Sequence, residues 1–262
     1  MSGSSSTVVA RQPAGRPSMR MTWRNLAFFH WPVDLQCIRA LVPPALDVDT
    51  FDGRAWIGLV PFTMRDVGHT IWPWIPTMRH FHECNVRTYV SCGSVRGVYF
   101  FSLDATSRLA VWGARTFWHL NYKRSAIEIS RRDDEVRYAV DRMDQPRAAL
   151  RCVWRAGRPM PRSQPGELAH FLTERYSLLT VNRAGRPLQG RIHHHPWPLR
   201  QGEVIDLNDS LVSAAGINVA SAGPPLVYHA DEIRIEAWGL QPCSTSELTP
   251  RAGATLSNRP AD

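Results

Sequence analysis

Apolar and polar positions alternate with period two along much of the chain, the spacing of strands with one face turned inward. In "FHECNVRTYVSC", Cys84, Val86, Thr88, Val90 and Cys92 share one face, and Phe81, Glu83, Asn85, Arg87 and Tyr89 share the other. "GRAWIGLVPFTM" follows the turn signal "FDG" and predicts another strand, and "GVYFFSLDA" reads as a strand apolar on both faces. "SAIEIS" and "EVRYAVDRM" flank "RRDD" as a hairpin, and "LLTVN" and "LQGRIHHH" flank "RAGRP" as another. "ALRCVWRAG" and "DEIRIEAWGL" complete the predicted strands.

Helical spacing is rarer. Ser107 is placed to cap a helix over "RLAVWGARTFWHL". "PGELAHFLTERY" opens on proline and an early glutamate, and "LNDSLVSAAG" predicts a short third helix. Many antiparallel strands with a few flanking helices predict an α+β fold around a curved sheet or a closed or partly closed barrel. One domain is expected over 20–242, with polar, proline-punctuated tails at 1–19 and 243–262.

Composition narrows the function. The net charge is +8, but the basic residues interleave with acids, as in "RRDDEVR", and form no stripe, so no nucleic-acid partner is expected. The chain has five cysteines, an odd number with no C-x-x-C pair, which fits reduced thiols in a cytoplasmic protein. No apolar run is long enough for a membrane helix, and self-association is left open. The histidines at 80, 82 and 193–195 lack a metal-ligand spacing, so no metal or cofactor is expected. There is no nucleophile elbow, dinucleotide-binding glycine motif or P-loop.

Two features could carry chemistry. On pattern alone, the Glu83–Asn85–Arg87 face meets solvent, while closure of the sheet would turn it toward a cavity. Lys123, in "LNYKRSA", is the only lysine against 30 arginines. An amine beside Arg124 and near Arg115 could have a lowered pKa and form an imine, or could be an exposed strand-end residue.

"WRNLAFFHWPVD", "LVPPALDVDTFDGRAWIGLVPFTM", "FHECNVRTYV", "GVYFFSLDA", "GARTFWHLNY" and "HHPWPL", in order across roughly residues 20–240, resemble the YqjF-like family of unknown function. That family is similar in fold to acetoacetate decarboxylase, whose cone-like antiparallel barrel surrounds its active site. The resemblance implies that the polar strand face turns inward and that Glu83 matches an active-site glutamate. Acetoacetate decarboxylase pairs an imine-forming lysine with a helper lysine, a case the physical chemistry of depressed amine pKa values is known from. The un-gapped match puts Tyr122 at the imine-forming position and Lys123 at the helper. A one-residue shift would put Lys123 and Arg124 at those two positions. YqjF-like proteins commonly carry an aromatic residue at the first. The expectation is therefore a cavity that binds or transforms a small oxo-acid or related carboxylate. Glu83, Tyr122 and Lys123 are its candidate acid, base and imine groups, and Arg87, Arg115 and Asn85 its candidate substrate-binding residues. Lyase chemistry through a lysine imine is one form of that expectation, and a non-catalytic binding protein with a relic cavity is the alternative.

Overall fold

A computed structural model describes residues 12–69 and 80–243. The expected tails at 1–19 and 243–262 fall mostly outside these residues. The described part of the first, 12–19, lies along the last strand: Ser18 N–H donates to Ala237 O at 2.7 Å, Met19 is in register with Ala237, and the Trp238 indole donates to Gly15 O at 3.2 Å.

Twelve strands form one mixed sheet among the described residues. They are β1 (Met19–Val33), β2 (Asp47–Val48), β3 (Ala55–His69), β4 (His80–Cys92), β5 (Val95–Ala105), β6 (Tyr122–Arg132), β7 (Glu135–Arg142), β8 (Ala149–Pro159), β9 (Ser177–Val181), β10 (Pro187–His193), β11 (Arg200–Asp209) and β12 (Leu226–Pro242). Four helices accompany them: α1 (Leu35–Leu41), α2 (Arg108–Phe117), α3 (Leu168–Thr173) and α4 (Leu211–Ala214). None is long and apolar enough to cross a membrane.

The sheet forks. One edge of β5 pairs with β4, and its other edge is shared by β6 and β9. Likewise β12 pairs with β1 on one edge and shares the other between β10 and β11. The wall β4–β3–β1 therefore belongs to two partly closed rings, one completed by β6, β7, β8 and β11, the other by β9 and β10. Each encloses an apolar core. On the wall's first face Phe29, Leu59, Cys84 and Val86 pack with Tyr138 and Trp154. On its second face Phe28, Val60, Phe62 and Phe81 pack with Tyr122, Phe171 and Trp197.

This double burial explains β1. Residues Leu26 to Trp31 are all buried, so the segment is apolar on both faces but for His30 and shows no alternation to read. β11 was unreadable for the opposite reason, since most of its residues are half or fully exposed.

The sheet departs from an all-antiparallel barrel at β5, which runs parallel to both β6 and β9. Parallel neighbours need a crossover, and α2 supplies it between β5 and β6. Ser107 caps that helix as expected, accepting from Ala110 N–H at 3.2 Å. The seam is closed by a buried cluster. Arg142 donates twice to Asp104, at 2.7 and 2.6 Å, and Ser125 donates to the same carboxylate at 2.7 Å. The helix expected from Pro165 is shorter, because Gly166 has φ +93° and Glu167 is non-helical, its carboxylate accepting from Gln164 N–H.

Candidate active site

The second ring contains a cavity of about 150 Å³. Its polar stripe comes from β4, where Glu83, Asn85 and Arg87 point to one side because strand side chains alternate. All three are buried, with exposures of 2%, 4% and 7%. The face that pattern alone assigns to solvent is thus an interior face. Around it the lining is mostly apolar, with Trp23 and Phe28 from β1, Val60 and Phe62 from β3, Leu103 from β5, and Trp197.

Glu83 is the chemical centre of this stripe. Desolvation by burial raises its pKa from the usual 4.5 to about 7, against the lowering effect of hydrogen bonds from Tyr122 and Asn85. The Tyr122 hydroxyl donates to Glu83 Oε2 at 2.7 Å. Burial, and then the neighbouring Glu83 charge, push the Tyr122 phenol well above its ordinary range, so it remains a donor. Tyr122 arrives here as the first residue of β6, paired with Leu103. From behind the wall the Tyr138 hydroxyl sits 2.8 Å from Glu83 O and 2.9 Å from Phe62 O, fixing the backbone under the carboxylate.

Arg87 differs from the other buried arginines. Arg142 pairs with Asp104, and Arg175, also lining the cavity, pairs with Asp49 at 2.7 Å. Arg87 has no carboxylate partner among the described residues. It donates to Leu172 O at 3.3 Å and lies 5.4 Å from the Phe28 ring centroid, and its Nε is buried without a hydrogen-bond partner. A buried cation without a counter-ion is costly, and an anionic ligand would offset that cost. Asn85 Oδ1 and the indole nitrogens of Trp23 and Trp197 are likewise buried and unpartnered.

The remaining two expected site residues lie outside the cavity lining. Lys123 follows Tyr122 on β6 and so points to the other side of the strand, where its Nζ donates to Gln145 O at 3.2 Å. Burial, and then the Arg142 and Arg115 charges, lower its pKa. Arg115 is exposed on α2, donates to Tyr122 O at 2.7 Å and pairs with Asp144. It steadies the backbone that carries Tyr122.

Gly58 was not singled out from sequence, and His194 was weighed only as a metal ligand. Gly58 had a signal, because a glycine inside a strand marks close approach. It sits opposite Arg87, and a Cβ there would stand 3.3 Å from Arg87 Cγ and from the His30 ring. His194 is buried, stacked on Tyr176 at 4.6 Å, with its Nδ1 2.7 Å from His195 O. No group of three or more acidic, histidine or cysteine side chains among the described residues is placed to hold a metal ion.

The family model described as "Uncharacterized conserved protein", DUF2071, matches residues 20–234. "Uncharacterized protein YqjF" of Bacillus subtilis (strain 168) is 38% identical over 229 residues, covering 87% of this chain and 94% of that protein. Among solved structures, the enduracididine biosynthesis enzyme MppR complexed with pyruvate is similar with TM-score 0.62 and 13% identity, covering 92% of this chain and 99% of that one. Acetoacetate decarboxylase from Legionella pneumophila is similar with TM-score 0.60 and 12% identity, covering 88% of each chain. At such identities these two likenesses establish the fold and no more.

Proposed function

The chain belongs to the DUF2071 family of uncharacterized conserved proteins, and from that premise we propose that its cavity binds a small oxo-acid or related carboxylate and moves a proton on it. The observation that carries this reading is the pairing of an uncompensated buried cation, Arg87, with a carboxyl group, Glu83, that titrates near neutrality in the same cavity. Arg87 anchors the anion. Glu83, poised near the working pH, takes a proton from the carbon next to the ligand's carbonyl. The electron pair moves onto the carbonyl oxygen, toward which the Tyr122 hydroxyl turns once Glu83 has become protonated. The fold neighbour that holds pyruvate supports an oxo-acid as the ligand class.

Lys123 has no part in this proposal, because its amine lies on the far side of β6 from Glu83. The non-catalytic alternative keeps Arg87 as the anchor and gives Glu83 no proton to move. Binding is tested by titrating the protein with oxo-monocarboxylates and following tryptophan fluorescence, since Trp23 and Trp197 line the cavity. Saturable quenching, weakened at least tenfold in Arg87→Met, is expected. Quenching that is absent, or indifferent to Arg87→Met, would overturn the reading.

A further inference from the structure

The stripe on β4 is long compared with the smallest oxo-acids. Glu83 and Arg87 are four residues apart on one strand, so their Cα atoms are about 13 Å apart. Among the described residues no ion pair joins the two side chains, and each has other partners. The Arg87 guanidinium leans toward Phe28 and Tyr89 and donates to Leu172 O, at the end of α3, whereas Glu83 is turned to Tyr122. With both side chains standing off the strand roughly side by side, about 3 Å for a hydrogen bond at each end leaves about 7 Å between the ligand's own polar atoms. In pyruvate the carboxylate and keto oxygens are adjacent.

Between these ends Asn85 is the one polar side chain of the stripe, and the walls beside it are apolar. Asn85 is flanked by Val60 on β3 and Leu103 on β5, with Phe28, Phe62 and Trp197 around them. An apolar cavity of about 150 Å³ in another protein accommodates a benzene ring. The cavity as a whole, which both Arg87 and Glu83 line, is therefore of a size for a ring or a short chain.

We infer that the substrate is a keto-carboxylate whose carboxylate and ketone are separated by an apolar segment, a chain of four methylenes or a six-membered ring. This rests on the Arg87 and Glu83 roles proposed above. The carboxylate sits at Arg87, the segment crosses Val60 and Leu103, and the ketone meets Glu83 and Tyr122.

The test is a binding series on the unmodified protein by isothermal titration: pyruvate, 4-oxopentanoate, 6-oxoheptanoate, 8-oxononanoate and 4-acetylbenzoate. Each step of two methylenes up to 6-oxoheptanoate is expected to lower Kd roughly 15-fold, from about 0.8 kcal/mol per buried methylene. 8-Oxononanoate overruns the span and gains nothing further, and 4-acetylbenzoate matches 6-oxoheptanoate. A flat series, or one in which pyruvate binds tightest, overturns the inference. Arg87→Met distinguishes a wrong ligand length from a wrong anion anchor. A flat series that still weakens in this variant defeats only the length assignment, whereas affinities that ignore the variant defeat the anion anchor itself.

Discussion

Replacing Glu83 with glutamine removes a titrating group from the centre of the cavity, and the consequence for stability depends on pH in a defined direction. In the folded protein this carboxyl titrates at about 7, against 4.5 for an ordinary glutamate. A raised pKa means that the native state holds the proton more tightly than the unfolded chain does. The contribution of Glu83 to stability is therefore fully present below about pH 4.5 and is lost as the pH rises through about 7. At about 1.4 kcal/mol per pH unit, the loss amounts to about 3 kcal/mol by pH 8. Glu83→Gln keeps the shape and has no proton to lose, and the unpartnered Asn85 Oδ1 can accept from the new amide. The difference in unfolding free energy between variant and parent should move by about 3 kcal/mol in the variant's favour from pH 4 to pH 8. Urea denaturation at half-unit pH steps measures it, and all other titrating groups cancel in the difference. A difference that stays constant across that range would mean that Glu83 titrates as an ordinary surface carboxylate, and the electrostatic account of the site would fail.

Tyr122→Phe removes the hydrogen bond that favours the ionised carboxylate, so the inflection of any Glu83-dependent pH profile should move above about 7. Arg142→Met leaves Asp104 buried without its bidentate partner and should cost about 3–5 kcal/mol in urea unfolding, whereas exposed pairs such as Arg24 with Glu232 should cost under about 1 kcal/mol when broken. Lys123→Met should leave ligand affinity unchanged and stability within about 0.5 kcal/mol, checked by the fluorescence titration and thermal unfolding.

The candidate site was legible in the sequence where one rule was enough. Alternation along β4 put Glu83, Asn85 and Arg87 on one face, and that is the face lining the cavity. Which way the face turns is a property of sheet closure, and closure depends on β1, β10 and β12 meeting strands far away in sequence. No local period reports those pairings, so the inward turn was carried by family resemblance alone. Proximity in sequence misled in the other direction. Tyr122 and Lys123 are neighbours in the chain, but the strand that joins them sends one to Glu83 and the other to Gln145 on the opposite side. Arg115 reads as an anion ligand by charge, but it holds the Tyr122 carbonyl from outside. The parallel pairing at β5 was hidden because a helix between two strands does not say whether they become neighbours.

Glu83, and not Lys123, is the group proposed to move the proton in the cavity. That role is tested most directly by the exchange of the hydrogens next to the ketone of 4-oxopentanoate in deuterated buffer, followed by proton NMR for the parent, Glu83→Gln and Lys123→Met, with borohydride added in parallel. Exchange above buffer is expected with the parent, with a loss of at least about 100-fold in Glu83→Gln, no change in Lys123→Met and no trapped adduct. Exchange that survives Glu83→Gln, disappears in Lys123→Met and leaves a reduced adduct on Lys123 would contradict that role.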